Sequence, residues 1–580
     1  MDKTIRIILA GLLAAACSAP VDGDYQLHIL TTNDVHGSYF DSTYVNGGTQ
    51  NSMLAAYYYI DSVRTAVGRD NVVLLDAGDF LQGNNAAYYF NYVETGVPHV
   101  FSRMADYMDY DAITWGNHDV ETGHAVYDRV AGEIEGFGIP FLGGNAIRED
   151  NGKPYFPVYT ILKKNKLKVA VLGFNNANIK AWLDEDIWSG MHFESLIPLV
   201  QKDVDMVLTK EKPQVVIVCV HSGTGNGDGS VLESQGMDLY KSLKGVDVLV
   251  CSHDHRPFVT DDGSIALLNS GSHSRNLGHG IVSLTVKKGK VISKSVGSEL
   301  IPIRKEKADP DMREAFRKDY EAVKAFTLEE VGELKADLNL SDAFAGMSDY
   351  INLLHTVSLG CEPAQLSIAA PLTQRGIIKA GKLVYNDLFT LYQYENQLSV
   401  VKMSGKEVKD YLEASYDQWI NTVSSPADHV LKIRNSPDSR TGLERWSFEN
   451  ATYNFDSFGG LVYTVDVTKP FGERIDIASL AHGDAFDPVA EYNVAMTSYR
   501  ASGGGGLLDK IGIDTDRIDD RVVKKYPEIR DMIYDYLKEH GSIDPVAIGD
   551  PSVIGHWEFV PAEVASPAIS RDMALLFGKQ

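Results

Sequence analysis

The chain has 580 residues, of which 44% are hydrophobic and 23% are charged, and its formal net charge is −25. This length exceeds what one hydrophobic core usually supports, so we expect two domains. The negative charge argues against polymeric nucleic acid as a partner, because such partners are met by clustered Lys and Arg that release counterions. A small anion can still bind where metal ions or a few arginines reverse the local charge.

The first segment, MDKTIRIILAGLLAAAC, has a charged start, a short apolar run and small residues before Cys17, which is the order of an export signal. The apolar run is too short for a stable membrane anchor. The residues before Cys17 resemble a bacterial lipobox, with a simply cleaved signal as the alternative. We therefore expect residues 1–17 to direct export to the bacterial periplasm or cell envelope, with a lipid on Cys17 as the membrane attachment.

Between residues 24 and 305, short apolar runs such as VVLLDAGD, VAVLGF and VVIVCVHSG each end in a polar cluster, with helical segments between them. Buried strands that alternate with helices predict a layered α/β domain. In such folds the functional residues collect where the strands end. The polar clusters therefore mark the expected site.

A linker helix is predicted over residues 306–330. The pair Asp309-Pro310 suits a helix start, since the carboxylate can cap the first turn and proline fits the first helical position. From 331 to 562, strand-like pieces such as LVYTVDVT and YNVAMTSY and Gly-rich turns predict a second domain of the α+β class. The remaining residues, 563–580, show little pattern and are expected to form a loose tail.

Five polar clusters of the first domain carry ligands for divalent metals. Along the chain these ligands are Asp34 and His36, Asp79, Asn117, His221, and His253 with His255. Two ligands separated by one residue at a strand end can leave the same face and bind one ion. A carboxylate has two oxygens and can bridge two cations, which can orient a phosphoryl group and deprotonate a shared water for attack. The clusters therefore predict a two-metal site.

The order D-x-H, G-D, G-N-H-D, H-S-G and H-D-H resembles the calcineurin-like metallophosphoesterase family across nearly the whole first domain. The resemblance implies a layered α/β/β/α fold with two divalent metal ions. It implies one ion held by Asp34, His36, Asp79 and His255, and a second held by Asp79, Asn117, His221 and His253. The metals stay open among manganese, zinc, iron and cobalt, because each suits mixed oxygen and nitrogen ligation.

His118 matches the catalytic histidine of that family, which stabilises the transition state or protonates the leaving oxygen. A nearby carboxylate should orient its imidazole and raise its pKa. Glu121 matches the usual acidic residue by position, whereas Asp119 replaces the more common glutamate directly after the histidine. We expect Glu121 to be the partner, with a surface carboxylate pair as the alternative.

With its linker helix and second domain, the chain resembles the 5′-nucleotidase and 2′,3′-cyclic-nucleotide phosphodiesterase family over most of its length. The segments AAPLTQRG, DLFTLYQYENQL, YNFDSFGGLVYTVDVT, YRASGGGG and HWEFVP favour the branch of 2′,3′-cyclic-nucleotide 2′-phosphodiesterase/3′-nucleotidases. AAPLTQRG stands where the 5′-nucleotidase pattern N-G-G-x-x-R would be. The resemblance implies that the second domain binds the nucleoside and that rotation about the linker carries the phosphate to the metals.

Two residues of the second domain are implied as substrate contacts. Arg375 is the candidate for binding phosphate or ribose, because a guanidinium fork matches anionic oxygens, and an exposed loop arginine is the alternative. Tyr394 corresponds to a family aromatic that stacks on the nucleobase, and ordinary core packing is the alternative.

The Gly-rich turn with Gly503 and Gly504 matches the second stacking region, where backbone can approach a ligand closely. The positions that usually hold the second aromatic read Ser502 and Leu507. Tyr499 is the candidate to replace it.

The sequence thus predicts an exported hydrolase of nucleotide phosphate esters, acting on 3′-monoesters or 2′,3′-cyclic diesters, with 5′-monoesters next. One alternative is a phosphatase of another ester, such as a sugar phosphate, because the base clamp departs from the family pattern. The other is a surface binding protein without turnover, which gives no physical reason to keep Asp79 and His118 together. The sequence does not fix the oligomeric state.

Overall fold

The computed structural model describes residues 21–394, 396–437 and 442–578. The expected signal segment and Cys17 lie outside these ranges. Within them, no helix has the combined length and hydropathy that crossing a bilayer would require.

Two six-stranded sheets form the centre of the first domain. The first contains, in spatial order, Lys290–Pro302, Asn276–Lys287, Gly23–Thr32, Val72–Asp76, Ala112–Thr114 and Phe141–Leu142. The second contains Phe258–Asp261, Ala266–Asn269, Val248–Val250, Val215–Val220, Leu167–Phe174 and Tyr159–Lys164. Apolar side chains from both sheets, such as Ile29, Val73 and Ile217, share one buried cluster, so the sheets pack face to face.

Helices cover the outer faces of both sheets. Met53–Val67, Val100–Tyr107 and His124–Gly136 pack on the first sheet, and Leu196–Glu211 and Gly236–Ser242 pack on the second. The continuous apolar runs of the sequence are therefore strands buried on both faces. The layered α/β/β/α prediction is confirmed.

The linker consists of two consecutive helices, Pro310–Ala315 and Arg317–Thr327. The carboxylate of Asp309 caps the first helix by accepting a hydrogen bond from the backbone N–H of Met312 at 2.8 Å. Met312 and Val323 are buried in the first-domain core, whereas Phe326 packs against the core of the second domain. The linker thus contacts both domains.

The second domain is an α+β structure around a five-stranded sheet of Ser457–Gly459, Leu366–Ala369, Glu491–Thr497, Gln397–Ser404 and Val522–Glu528. Two three-stranded sheets flank it: Ile475–Leu480, Leu461–Asp466 and Gly555–Val560, and Gly381–Val384, Glu330–Leu334 and Ser542–Ile543. Its longer helices are Asp349–Leu359, Tyr385–Leu391, Gly405–Trp419 and Ile529–His540.

The C-terminal segment is a helix, Ala562–Phe577, and the predicted loose tail is wrong. Ile569 and Leu576 are buried in the same cluster as Trp557, and the fully buried carboxylate of Asp572 accepts a hydrogen bond from the backbone of Leu431. The segment lacked a visible pattern because two of its five buried positions are alanines and because Pro567, a residue that usually ends a helix, lies inside it.

A tyrosine of the first domain reaches into the core of the second. Tyr88 belongs to that buried cluster, and its hydroxyl donates a hydrogen bond to Asp531 at 2.9 Å. Its ring also packs against the guanidinium of Arg530. The two domains therefore share apolar packing beside the linker.

Candidate metal centre and the adjoining cleft

The structure brings all seven predicted metal ligands together. Two groups have ligand atoms within 4.8 Å of one another, namely Asp34, His36 and His255, and Asp79, His221 and His253. Oδ1 of Asn117 joins the second group, 2.8 Å from Nδ1 of His253 and 3.1 Å from Nε2 of His221. The groups adjoin, since Nε2 of His221 lies 4.0 Å from Oδ1 of Asp34.

Most of these ligands have a left-handed backbone conformation, which orients their side chains. From the sequence we expected Asp34 and His36 to share a face because side chains alternate along a strand. The strand Gly23–Thr32 ends before Asp34, so this alternation does not orient them. Instead Asp34, His36, Asp79, His253 and His255 have φ values of 48°, 46°, 62°, 72° and 55°. This conformation costs a non-glycine residue about 1–2 kcal/mol, and such strain is concentrated at functional sites.

The carboxylate of Asp119 holds one of these turns in place. It accepts hydrogen bonds from the backbone N–H groups of Asp79, Phe80 and Leu81 at 2.8, 2.9 and 2.8 Å. It is fully buried and also accepts from the backbone of Gly116. Asp119 therefore fixes the position of Asp79 and is not the partner of His118, which removes it from the catalytic candidates.

The donor set fits divalent cations. Oδ2 of Asp79 is buried without a hydrogen-bond partner, while Nε2 of His221 lies 3.0 Å away. Nδ1 of His221 lies 2.7 Å from the carbonyl oxygen of Ala77 and carries the proton there, so Nε2 directs its lone pair at Asp79 and Asn117. Electron pairs that face one another need a cation between them.

The electrostatics of His221 lead to the same conclusion. Burial alone would lower the pKa of His221, but the adjacent carboxylate of Asp79 raises it to about 9. The raised pKa favours a second proton on the ring, at Nε2, which is the position that a metal ion would take. Binding of a metal ion there would release this proton.

His118 and Glu121 form a hydrogen-bonded pair beside the ligands. Nδ1 of His118 lies 2.6 Å from Oε2 of Glu121, and the backbone N–H of His118 donates to Oδ1 of Asp79 at 2.9 Å. Burial opposes a charge on His118, yet the carboxylates of Asp79 and Glu121 raise its pKa to about 10. The structure thus gives His118 the partner expected from the sequence.

A cleft of about 310 Å³ runs from the ligands to the second domain. Asn117, His118 and His253 line one end. The second domain contributes apolar side chains and four tyrosines, Tyr392, Tyr394, Tyr453 and Tyr499. The rings of Tyr453 and Tyr499 meet edge to face with their centroids 6.0 Å apart. Tyr394 and Tyr499, which we predicted to contact the substrate, therefore line the cleft. Tyr453 also lines it and was not predicted.

Arg375 does not reach the cleft. Its guanidinium donates to the carbonyl oxygen of Leu576 at 2.5 Å and lies over the ring of Phe577. Both partners belong to the C-terminal segment, whose helix the sequence did not predict. Arg500 lines the cleft instead, paired with the buried Asp456 at 2.9 Å.

The Gly-rich turn packs against two residues that line the cleft, Tyr499 and Arg500. A side chain at Gly504 would collide with the ring of Tyr499, and the carbonyl oxygen of Gly504 accepts a hydrogen bond from Arg500. Gly503 has a φ of 94°, which favours glycine. Neither Gly503 nor Gly504 lines the cleft, so they position Tyr499 and Arg500.

Trp182 is a further cleft residue that the sequence analysis missed. Its ring stacks on the ligand His253, with centroids 5.1 Å apart and planes 24° apart. It lies in the irregular stretch between Phe174 and Met191, where no metal-ligand pattern drew attention to it. The nearest signal was an aromatic residue within a polar loop.

Family comparisons agree with this fold and site. Residues 27–257 match the calcineurin-like phosphoesterase family, and residues 330–510 match the 5′-nucleotidase C-terminal domain. Together with the convergent ligands, these matches define a metal-dependent phosphoester hydrolase. The chain thus carries a calcineurin-like phosphoesterase domain and a 5′-nucleotidase C-terminal domain, which confirms the resemblance predicted from its motifs.

Individual relatives match this chain over most of its length. The chain is 26% identical to the 2′,3′-cyclic-nucleotide 2′-phosphodiesterase/3′-nucleotidase of Haemophilus influenzae, over 96% of this chain and 91% of that protein. It is 25% identical to the trifunctional nucleotide phosphoesterase protein of Bacillus subtilis, over 95% of this chain but only 41% of that protein. A provisionally named 5′-nucleotidase structure from Staphylococcus aureus has the same fold, with a TM-score of 0.73, 21% identity, and coverage of 92% and 99%.

Proposed function

We propose that this protein is an exported nucleotide phosphohydrolase that uses two divalent metal ions. We further propose 3′-monoesters and 2′,3′-cyclic diesters of nucleosides as its preferred substrates, with 5′-monoesters next. This proposal is based mainly on one cleft, which is lined both by the ligands Asn117 and His253 and by the tyrosines of the second domain. The names of the relatives support nucleotides as the substrates. The segments from AAPLTQRG to HWEFVP support the branch of 2′,3′-cyclic-nucleotide 2′-phosphodiesterase/3′-nucleotidases.

The metal ligands would divide as the family resemblance implies. One ion would be held by Asp34, His36, Asp79 and His255, and the other by Asp79, Asn117, His221 and His253. Bound divalent ions would polarise the phosphoryl oxygens and make water acidic enough to act as a nucleophile. The donor set suits manganese, zinc, iron and cobalt alike.

His118 would supply the proton that the leaving oxygen needs. Because Glu121 binds Nδ1, Nε2 is the nitrogen left for the substrate. Burial opposes a charge on His118, but the carboxylates of Asp79 and Glu121 raise its pKa, which favours a proton on the ring. Glu121 then acts by holding the ring and balancing its charge.

The second domain would bind the nucleoside. Tyr394, Tyr453 and Tyr499 offer ring faces and edges on which a base can stack, and stacking tolerates every base. A buried Arg500–Asp456 pair fixes this wall, since Arg500 also donates to the carbonyl oxygen of Tyr453 at 2.8 Å. The net charge of −25 supports a small nucleotide over a nucleic acid polymer.

Export rests on the first seventeen residues alone, with lipidation at Cys17 attaching the protein to a membrane of the cell envelope. Labelling with a radioactive fatty acid tests this step. Incorporation that disappears in Cys17→Ala supports it, and incorporation that persists contradicts it.

A substrate panel tests the proposed activity. The metal-loaded protein is assayed with 5′-, 3′- and 2′,3′-cyclic nucleotides and with sugar phosphates under manganese, zinc, iron and cobalt. We expect the highest kcat/KM for 3′- and 2′,3′-cyclic nucleotides. Equal or higher values for sugar phosphates would contradict nucleotide hydrolysis and favour a phosphatase of another ester.

A further inference from the structure

Glu233 places a carboxylate in the wall of the cleft. The residue belongs to the first domain and is half-buried. Among the residues that the structure describes, its carboxylate forms no hydrogen bond or ion pair. Burial raises the pKa of Glu233, and no neighbouring cation opposes this effect. A half-buried acid without a partner, in a site built for anions, requires an explanation.

The main chain fixes the position of Glu233. Its carbonyl oxygen accepts three hydrogen bonds, from the backbone N–H of Gly223 at 3.0 Å, Nδ2 of Asn176 at 3.1 Å and Oγ of Ser222 at 3.0 Å. Ser222 directly follows the ligand His221, so the residue is tied to the metal centre through its backbone. These hydrogen bonds involve only the main chain of Glu233, so its carboxylate remains available to a ligand in the cleft.

Glu233 and residues of the second domain line the same cleft. The pKa of the Tyr499 phenol is raised to about 12, mainly by burial, with further contributions from Tyr453 and Glu233. Glu233 also lines the same cleft as Tyr453 and Tyr499, the tyrosines that would bind the nucleoside. A ligand between the metal ligands and Tyr499 would have to pass beside this acid.

A carboxylate at this place has two opposite effects on a nucleotide. It accepts a strong hydrogen bond from a sugar hydroxyl, as acidic residues do in other nucleotide sites. It also repels a phosphate in the same position, because two like charges in a partly buried site destabilise each other. The same group can therefore select a hydroxyl and exclude a phosphate.

We propose that Glu233 is a specificity-determining residue, which accepts a hydrogen bond from the sugar hydroxyl that the substrate leaves unphosphorylated. This inference rests on the proposed nucleotide phosphohydrolase function. It narrows the substrate class to nucleosides phosphorylated at one end of the sugar. Nucleoside bisphosphates, with a second phosphate at the other end, are poor substrates because that phosphate meets the carboxylate.

The test compares Glu233→Gln, which removes the charge and keeps the length, with the wild type. A matched control is Glu135→Gln, which removes the same charge from an exposed helix position. Three substrates are used: the nucleoside monophosphate that the wild type cleaves best, the same nucleoside with a second phosphate, and p-nitrophenyl phosphate. The last lacks a sugar and reports the metal centre alone.

We expect Glu233→Gln to lower kcat/KM for the monophosphate about tenfold, because a charge-assisted hydrogen bond becomes a neutral one. Discrimination against the bisphosphate should fall by at least about tenfold as the repulsion disappears. Turnover of p-nitrophenyl phosphate and every value for Glu135→Gln should stay at the wild-type level. Glu233→Ala should lose more activity on the monophosphate than Glu233→Gln.

Unchanged discrimination between monophosphate and bisphosphate in both Glu233 variants would overturn the inference. A loss limited to one nucleobase would also overturn it, because it would assign the carboxylate to the base. If the wild type cleaves p-nitrophenyl phosphate but no nucleotide, the proposed function itself fails and this inference with it. The thermal unfolding midpoint of each variant separates such losses from misfolding.

Discussion

Nδ1 of His118 lies 2.6 Å from Oε2 of Glu121, and both residues belong to the short helix Asn117–Glu121. This helix begins at a metal ligand, so a single turn holds a ligand, the proposed proton donor and its partner. The spacing of three residues places His118 and Glu121 on one helix face. Their relative position therefore depends on local backbone geometry and not on the second domain.

Replacing His118 with Asn should lower kcat about 10²- to 10⁴-fold, because general acid catalysis is lost while the ligands remain. Elemental analysis should find the same metal content as in the wild type. Glu121→Gln should lower kcat less, since the imidazole stays in place without its charged partner. Full activity of His118→Asn would remove this histidine from the mechanism.

Asp79→Asn should remove metal from both halves of the site, because Asp79 belongs to both implied ligand sets. Metal that binds only the folded state raises the unfolding midpoint by mass action. A chelator should therefore lower the thermal midpoint of the wild type and leave that of Asp79→Asn unchanged. Asp61→Asn, at a partly exposed position of helix Met53–Val67, serves as the control. An Asp79→Asn protein that retains two ions per chain would contradict the shared role.

Most of the first domain could be predicted from the sequence because its strands are continuous apolar runs and each ligand cluster follows one. Side-chain chemistry at strand ends then identified the site without coordinates. The backbone conformation that orients the side chains of Asp34 and His36 could not be predicted, because no sequence pattern indicates a left-handed conformation at a non-glycine residue.

The second domain was less predictable because its contacts join distant segments. Arg375 has the chemistry of a phosphate ligand, and only the position of Leu576, far along the chain, shows that its guanidinium is occupied. Tyr453 and Trp182 are aromatic residues whose approach to the cleft depends on how the domains meet. Sequence patterns report burial and periodicity along one element, and such long-range pairs lie outside that information.

His355 should make stability depend on pH below neutrality. It is buried between two serine hydroxyls, with Nδ1 2.8 Å from Oγ of Ser367 and Nε2 3.1 Å from Oγ of Ser457. Burial lowers its pKa from 6.5 to about 3. Between these pH values the unfolded chain binds a proton that the folded chain does not, so this contribution is complete above pH 6.5 and falls as the pH drops.

The expected slope is about 1.4 kcal/mol per pH unit within that window. Urea unfolding of the wild type and of His355→Gln at several pH values between 7.5 and 5 measures it, because other titrating groups are common to both proteins. The variant should be less stable at pH 7.5, and the difference should shrink on acidification. Parallel stability curves would contradict a neutral, buried His355.

An ion-pair contact joins the domains at the cleft. Nζ of Lys525, on the second domain, lies 3.4 Å from carboxylate oxygens of both Asp184 and Asp186 on the first. Asp184 directly follows Leu183, which lines the cleft together with Trp182. A change in the relative position of the domains would therefore break this contact and move the cleft wall with it.

Lys525→Met should raise KM for nucleotides by up to about fivefold, because partly exposed ion pairs contribute about 0.2–1 kcal/mol. The kcat should change little, since Lys525 does not line the cleft, and the KM difference should shrink at high salt as charges are screened. Lys524→Met is the matched control, because Nζ of Lys524 contacts Tyr526 and Glu362 within its own domain. If both variants raise KM equally, the effect comes from the charge of this strand, and the contact with Asp184 does not help to hold the cleft wall in position.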